Sequence, residues 1–216
     1  MDNQFIQEME DLRQHKNPKV RIKIMRGHFA TSNSHLNTYI DMSTVKTRHN
    51  NAREVAKELA GEYMGTPIDS IVCLDDTNVI GAFIAETLAD KSQYSVNKGK
   101  NISVISPEYN ALGQVMFRDN QQRMVRGMNV LILAASVTTG KTLNHAVNSV
   151  NYYRGNLAGV CAIFSAASRI GDVEIKRLFT GSDLPNYEAY NTADCPMCKR
   201  GERIEALVNS FGYSRL

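Results

Sequence analysis

The sequence predicts an α/β protein with a doubly wound, mostly parallel sheet and a small N-terminal hood. Three observations predict it. Apolar runs at residues 70–74, 102–105, 130–133 and 159–164 are short and continuous, as strands buried on both faces require. Between them lie segments with helical spacing, and such alternation implies parallel crossover units. A chain of 216 residues with 43% hydrophobic content buries one substantial core and needs no second domain. One domain is therefore expected over 1–216, divided into a hood at 1–45, a core at 46–185 and a tail at 186–216 that carries a CxxC pair.

Taken in order, residues 5–15 read as an amphipathic helix, with Phe5, Ile6, Met9 and Leu12 at helical spacing. A polar turn at 31–37 leads into a short strand around Tyr39. Asn51 and Glu54 resemble a capping box that opens a helix to about residue 63, closed by Gly65. Strand 70–74, helix 79–89 and strand 102–105 follow, then a long polar stretch at 106–126. Strand 130–133, a helix at 141–153 with Gly155 beyond it, strand 159–164 and a last helix at 202–210 complete the reading.

Composition excludes several function classes. No apolar run reaches the roughly eighteen residues a membrane span needs, and the mixed-charge N-terminus lacks the basic and apolar regions of a secretion signal, so the cytoplasm is the expected compartment with no membrane partner. Four cysteines form no disulfide-like framework, and Cys73 and Cys161 lie inside strand-like runs, which fits a reducing compartment. A net charge of +3, with scattered Lys and Arg, falls short of the basic stripe of a dedicated nucleic-acid binder. Nucleic acid is neither indicated nor excluded.

The stretch VLILAASVTTGKT, residues 130–142, carries the chemistry. An apolar strand feeds a turn of Thr138, Thr139, Gly140, Lys141 and Thr142, and a helix follows. Such a turn offers backbone N–H groups, hydroxyls and a helix N-terminus to an anion, while Gly140 permits a positive φ and close approach. A phosphomonoester suits it. The bland alternative is an ordinary strand–turn–helix junction, where Gly and Thr are common.

This segment resembles the phosphoribosyl-diphosphate motif of the type I phosphoribosyltransferases: four apolar residues, two acids, two small or apolar residues, then T-T-G-x-T. Residues 27–43, GHFATSNSHLNTYIDMS, resemble the base-binding segment of orotate phosphoribosyltransferases, and C-P-M-C at 195–198 resembles the tail of one branch of that family. The three matches keep the family's order. The resemblance implies that the 138–142 loop holds a 5′-phosphate of phosphoribosyl diphosphate or a nucleoside monophosphate, that Phe29, His35 and Arg169 serve the base, that Mg²⁺ is the candidate ion, and that the protein is a homodimer. Without the family, His28 and His35 read as loop histidines and Arg169 as a surface cation.

Departures from the family pattern fall in four functional loops. The acidic pair that holds the ribose hydroxyls is replaced by Ala134 and Ala135. The small loop that receives pyrophosphate carries Asp75 and Asp76, which repel phosphates unless a metal bridges them, and which otherwise read as acids complementing the N-terminus of the next helix. The family's cationic lid corresponds to 106–126, whose first half holds no Lys or Arg, since Arg118, Arg123 and Arg126 come late. The Asp-Arg pair that meets the orotate carboxylate aligns with Ser165 and Ala166, with Arg169 three residues on. Loss of two ribose-binding carboxylates costs roughly 3–6 kcal/mol of transition-state stabilisation, about two to four powers of ten in rate.

The expected function is binding of a ribose 5-phosphate group by a sensor or regulatory protein with weak or no transferase activity. Two rivals stay open: an active orotate-type transferase in pyrimidine synthesis or salvage, with Asp75 and Asp76 holding metal, and a nucleic-acid-binding regulator on the same fold. Cys195 and Cys198 have the spacing of a zinc knuckle, but a structural zinc needs four ligands and the chain offers no second CxxC. His28 and His35 would complete the set only by fortunate geometry. A reduced thiol pair without zinc is expected.

Overall fold

The computed structural model describes residues 9–110 and 113–216. Strand β1 (Glu10–Arg13) pairs antiparallel with β2 (Arg21–Ala30), which turns back as β3 (His35–Asp41). Helices Ser43–Thr47 and His49–Gly61 lead to β4 (Ser70–Cys73), helix Asn78–Ala89 and β5 (Ser103–Ile105). A small hairpin of β6 (Glu108–Tyr109) and β7 (Val115–Met116) and the short helix Asp119–Gln122 precede β8 (Asn129–Val137). Then come helix Lys141–Tyr152, β9 (Asn156–Ser165), β10 (Arg169–Ile170), β11 (Val173–Thr180), β12 (Ala189–Tyr190), helix Pro196–Lys199, β13 (Ala206–Asn209) and β14 (Gly212–Arg215).

The core sheet runs β10-β11-β9-β8-β4-β5 and is parallel except at β10. Its central strands β4, β8 and β9 are mostly apolar because both faces are covered. Leu131 and Leu133 join Val55, Leu59, Ile80 and Ile84 on one face, while Val130 and Ile132 join Leu143, Ala146 and Val150 on the other. Each fully buried Leu, Ile or Val contributes about 1.5–3 kcal/mol relative to exposure. Gly81 lets helix Asn78–Ala89 lie directly on β4, since a Cβ there would stand 2.4 Å from Cys73 Sγ. Counting only the parallel strands, β4 and β8 flank the point where the strand order reverses, the place where doubly wound sheets bind ligands.

The hood is a second sheet in the order β12-β3-β2-β13-β14, with β1 also on β2. Met25, Phe29, Leu36, Tyr39, Ala206 and Val208 form its own small core. The doubly wound, mostly parallel core and the hood agree with the expected fold class.

Several expected elements differ. Residues 5–15 are not a helix where described: Glu10–Arg13 is a strand, because β2 offers it an open edge, and residues 5–8 of that expected helix lie outside the described residues. The expected helix at 202–210 is the β13 strand, paired with β2 and β14. The second helix opens at His49 with Arg48 as its cap, so Asn51 lies inside it and forms no capping box.

Candidate functional site

The carboxyl ends of β4 and β8 open into a cavity that the hood covers. β8 reaches Val137, and the chain then turns through Thr138 and Thr139 to Gly140, which caps helix Lys141–Tyr152 at φ 74°. That left-handed conformation suits glycine. No side chain caps this helix, so its first N–H groups point without intrahelical partners toward the cavity. Thr138, Thr139, Gly140, Lys141 and Thr142 all line it, which makes an anion-sized site at a helix N-terminus.

Ala134 and Ala135 line the same cavity and are 2% and 5% exposed. The acid among the cavity-lining residues is Asp75, whose carboxylate accepts the Ala135 N–H. Burial holds its carboxyl above the usual carboxylate range, opposed by that N–H and by the Lys46 ammonium and reinforced by Asp76. Lys46, itself buried, donates to the Asp75 carbonyl at 3.0 Å and to the Ser210 carbonyl at 2.5 Å, tying the core loop to the C-terminal hairpin. Asp75 and Asp76 stand at φ 54° and 59°, two successive left-handed residues without glycine, a strained turn of the kind found at functional loops. The following helix has Thr77 as its cap, so the two acids stand just before its N-terminus rather than in its first turn. Mg²⁺ takes one or two protein carboxylates and fills its shell with waters and substrate oxygens. Asp75 fits as one such ligand, whereas Asp76 is exposed and does not line the cavity.

No family model matches the chain. It is 27% identical over 180 residues to an orotate phosphoribosyltransferase of Thermoanaerobacter sp., covering 82% of this chain and 86% of that protein. Among solved structures it resembles an orotate phosphoribosyltransferase of Mycobacterium tuberculosis, with a TM-score of 0.53 and 16% identity over 76% of this chain and 93% of that one. A UMP synthase of Leishmania donovani matches 75% of the chain with a TM-score of 0.55 and 18% identity, and the chain spans 34% of its length. The chain is thus similar in sequence to orotate phosphoribosyltransferases and shares the fold of the type I phosphoribosyltransferases.

Seen as such a relative, its other expected site residues scatter. None of Phe29, His35 and Arg169 lines the cavity. Phe29 is fully buried in the hood core, with its ring centroid 6.0 Å from that of Tyr39. Arg169 lies in β10 and bonds the Asp172 carbonyl through Nη2. His35, with His28, is buried rather than a surface loop residue, and the two meet Cys195 and Cys198. The hood instead offers Ser34, Thr38, Tyr39 and Ile40, and the C-terminal hairpin offers Asn209 and Ser210. In the stretch matching the family's lid, Arg118 is held by Glu108, its Nε 2.9 Å from both carboxylate oxygens. The Tyr109 hydroxyl of the same hairpin, on a side chain that stays partly exposed, is pushed up by partial desolvation and by the charges of Asp75 and Asp76. Sequence reasoning missed Lys46 and the C-terminal hairpin, for which only the period-two burial of Ala206 and Val208 gave a sign.

Proposed function

We propose that the chain binds the ribose 5-phosphate group of phosphoribosyl diphosphate or a nucleotide between hood and core, as a sensor or regulatory protein with weak or no transferase activity. One observation supports this reading: the Thr138 to Thr142 turn and the two alanines share one cavity, so a turn suited to a phosphate lies beside the positions where the family's ribose-binding carboxylates are replaced by methyl groups. Binding needs the N–H groups at Gly140, whereas transfer also needs charge placed against the developing cation and the leaving diphosphate. The Glu108–Arg118 pair withholds one lid cation from that task.

A second reading, an active orotate-type transferase, is favoured by Asp75, a cavity-lining carboxylate bonded to Ala135 N–H. It would serve as a metal ligand in place of the missing pair. Isothermal titration with phosphoribosyl diphosphate, orotidine monophosphate and other nucleoside monophosphates, run beside a turnover assay with Mg²⁺, separates the two. Binding with turnover far below about 1 per second supports the sensor. Turnover at that rate which Asp75→Asn abolishes supports the enzyme, and no binding at all overturns both.

A further inference from the structure

Outside the cavity, four side chains from distant parts of the chain converge. His28 lies near the end of β2, His35 opens β3, and Cys195 and Cys198 flank the start of helix Pro196–Lys199. None of the four lines the cavity. We infer that they form a structural Cys₂His₂ zinc site that staples the C-terminal hairpin to the hood.

The donor atoms are His28 Nε2, His35 Nδ1 and the two Sγ atoms, all within 4.8 Å of one another. The two ring nitrogens are 3.1 Å apart. Cys195 Sγ and Cys198 Sγ each lie 3.6 Å from His28 Nε2, and Cys198 Sγ lies 3.2 Å from His35 Nδ1. Zinc with Zn–N about 2.0–2.1 Å and Zn–S about 2.3 Å defines a tetrahedron whose edges are about 3.3–3.8 Å. The four distances fall on those edges to within a few tenths of an ångström. As a hydrogen-bond network the same group is poor, since thiols are weak donors and two ring nitrogens face each other.

The surroundings prepare the ligands. His28 Nδ1 faces the Glu202 carbonyl at 3.0 Å, which fixes the tautomer that leaves Nε2 as a donor to metal. The His28 backbone is held on both sides by Glu205, whose N–H reaches the His28 carbonyl at 2.8 Å and whose Oε1 accepts the His28 N–H at 3.1 Å. Gly27 makes room for that carboxylate, which a Cβ would approach to 2.6 Å. On the thiol side, Pro196 starts the short helix, the Lys199 N–H bonds the Cys195 carbonyl, and Gly201 leaves the turn at φ 77°. Two thiolates and two imidazoles with no acid among them select zinc over Mg²⁺ or Ca²⁺, and a full set of four protein ligands leaves no open position for catalysis.

The expectation of a free thiol pair is thereby revised. Cys195 stands 167 residues from His28, so sequence spacing shows the knuckle and hides its partners. The two histidines bracket a turn whose Thr31, Asn33 and Ser34 line the cavity, and the knuckle leads into the hairpin whose Asn209 and Ser210 do so as well. Zinc would hold both halves of the hood.

The test uses the full chain without a histidine tag. Metal analysis after expression in zinc-replete medium should find about one zinc per chain. Titration with an organomercurial should release it as two thiols react, Cys73 and Cys161 being buried in the core. Co²⁺ in its place should give thiolate charge-transfer and tetrahedral bands, and chelation should lower Tm. Cys198→Ser should cut zinc at least tenfold, and the cobalt spectrum keeps the inference testable if that variant does not fold. Less than about 0.1 zinc per chain after loading, a cobalt spectrum without thiolate bands, or about half a zinc per chain from a site between two copies would each overturn it. Bound zinc whose removal leaves Tm unchanged would overturn the stapling role.

Discussion

Gly140 reaches φ 74° with Ile170 Cδ1 3.4 Å from where a Cβ would sit, so space is adequate and the backbone is the constraint. A β-branched residue there costs about 1–3 kcal/mol of local strain, relieved by turning the helix N–H groups away from the anion. Gly140→Val should therefore weaken nucleoside monophosphate binding about 5- to 100-fold in calorimetry with the fold intact by circular dichroism. Unchanged affinity would place the anion elsewhere. Asp75 gives a pH prediction. Its folded carboxyl titrates above the unfolded value, burial being the largest cause, so the fold favours the neutral acid and ionisation costs stability. That cost is absent below the unfolded value of about 4 and complete once pH exceeds the folded value. Asp75→Asn should raise Tm and polyanion affinity at neutral pH, with both gains vanishing at acid pH, as a pH series of thermal melts and titrations reads. Gly140 was legible because a glycine between threonines and a helix has few other uses. The role of Asp75 was not, because its burial comes from the packing of β4 against β8 and from the hood above.

At the scale of elements, the core strands were legible and the hood strands were not. A strand buried on both faces must be apolar throughout, as Val130 to Leu133 is, whereas Ala206–Asn209 and Glu10–Arg13 are hood strands whose Glu, Ala and Leu also suit helices. Pairing with the edge of β2 overrides that propensity, and the sequence near either strand does not display its partner. The amino ends of the core strands are joined by Asp69. Its carboxylate accepts Asn129 N at 2.9 Å, Asn129 Nδ2 at 2.7 Å and Lys100 Nζ at 3.2 Å, while its carbonyl accepts Ser103 N at 3.0 Å. One residue thus joins the starts of β4, β5 and β8. The Asn129 N–H, then Lys100, hold its carboxyl below the usual range, so its contribution is present above the unfolded value of about 4 and is lost as pH falls through the folded value. Asp69→Ala should cost about 1–3 kcal/mol in urea unfolding near pH 7, with the difference from wild type shrinking at strongly acid pH. A pH-independent difference would mean that packing rather than charge holds the junction.

For the whole molecule, the doubly wound, mostly parallel core could be read from sequence because strand and helix alternate along one stretch of chain. The cavity's roof could not, since β2, β3, β12 and the β13–β14 hairpin come from the two ends of the chain. The resemblance to type I phosphoribosyltransferases leads us to expect a homodimer, and light scattering at micromolar concentration should then read twice the 24.1 kDa chain mass. Within one chain, Lys46 links hood to core: its ammonium is buried and bonds carbonyls on both, Asp75 below and Ser210 above. Burying an ammonium is costly unless its donors are paired, so these two bonds tie the roof to the core beside the Thr138 to Thr142 turn. Lys46→Met preserves most of the aliphatic volume and removes both bonds. Amide exchange in residues 206–215 should quicken severalfold while that of residues 130–133 stays unchanged, and nucleotide affinity should fall. Uniform acceleration throughout the chain would make Lys46 a determinant of global stability, and no change in the hairpin would place the coupling of hood and core in other contacts.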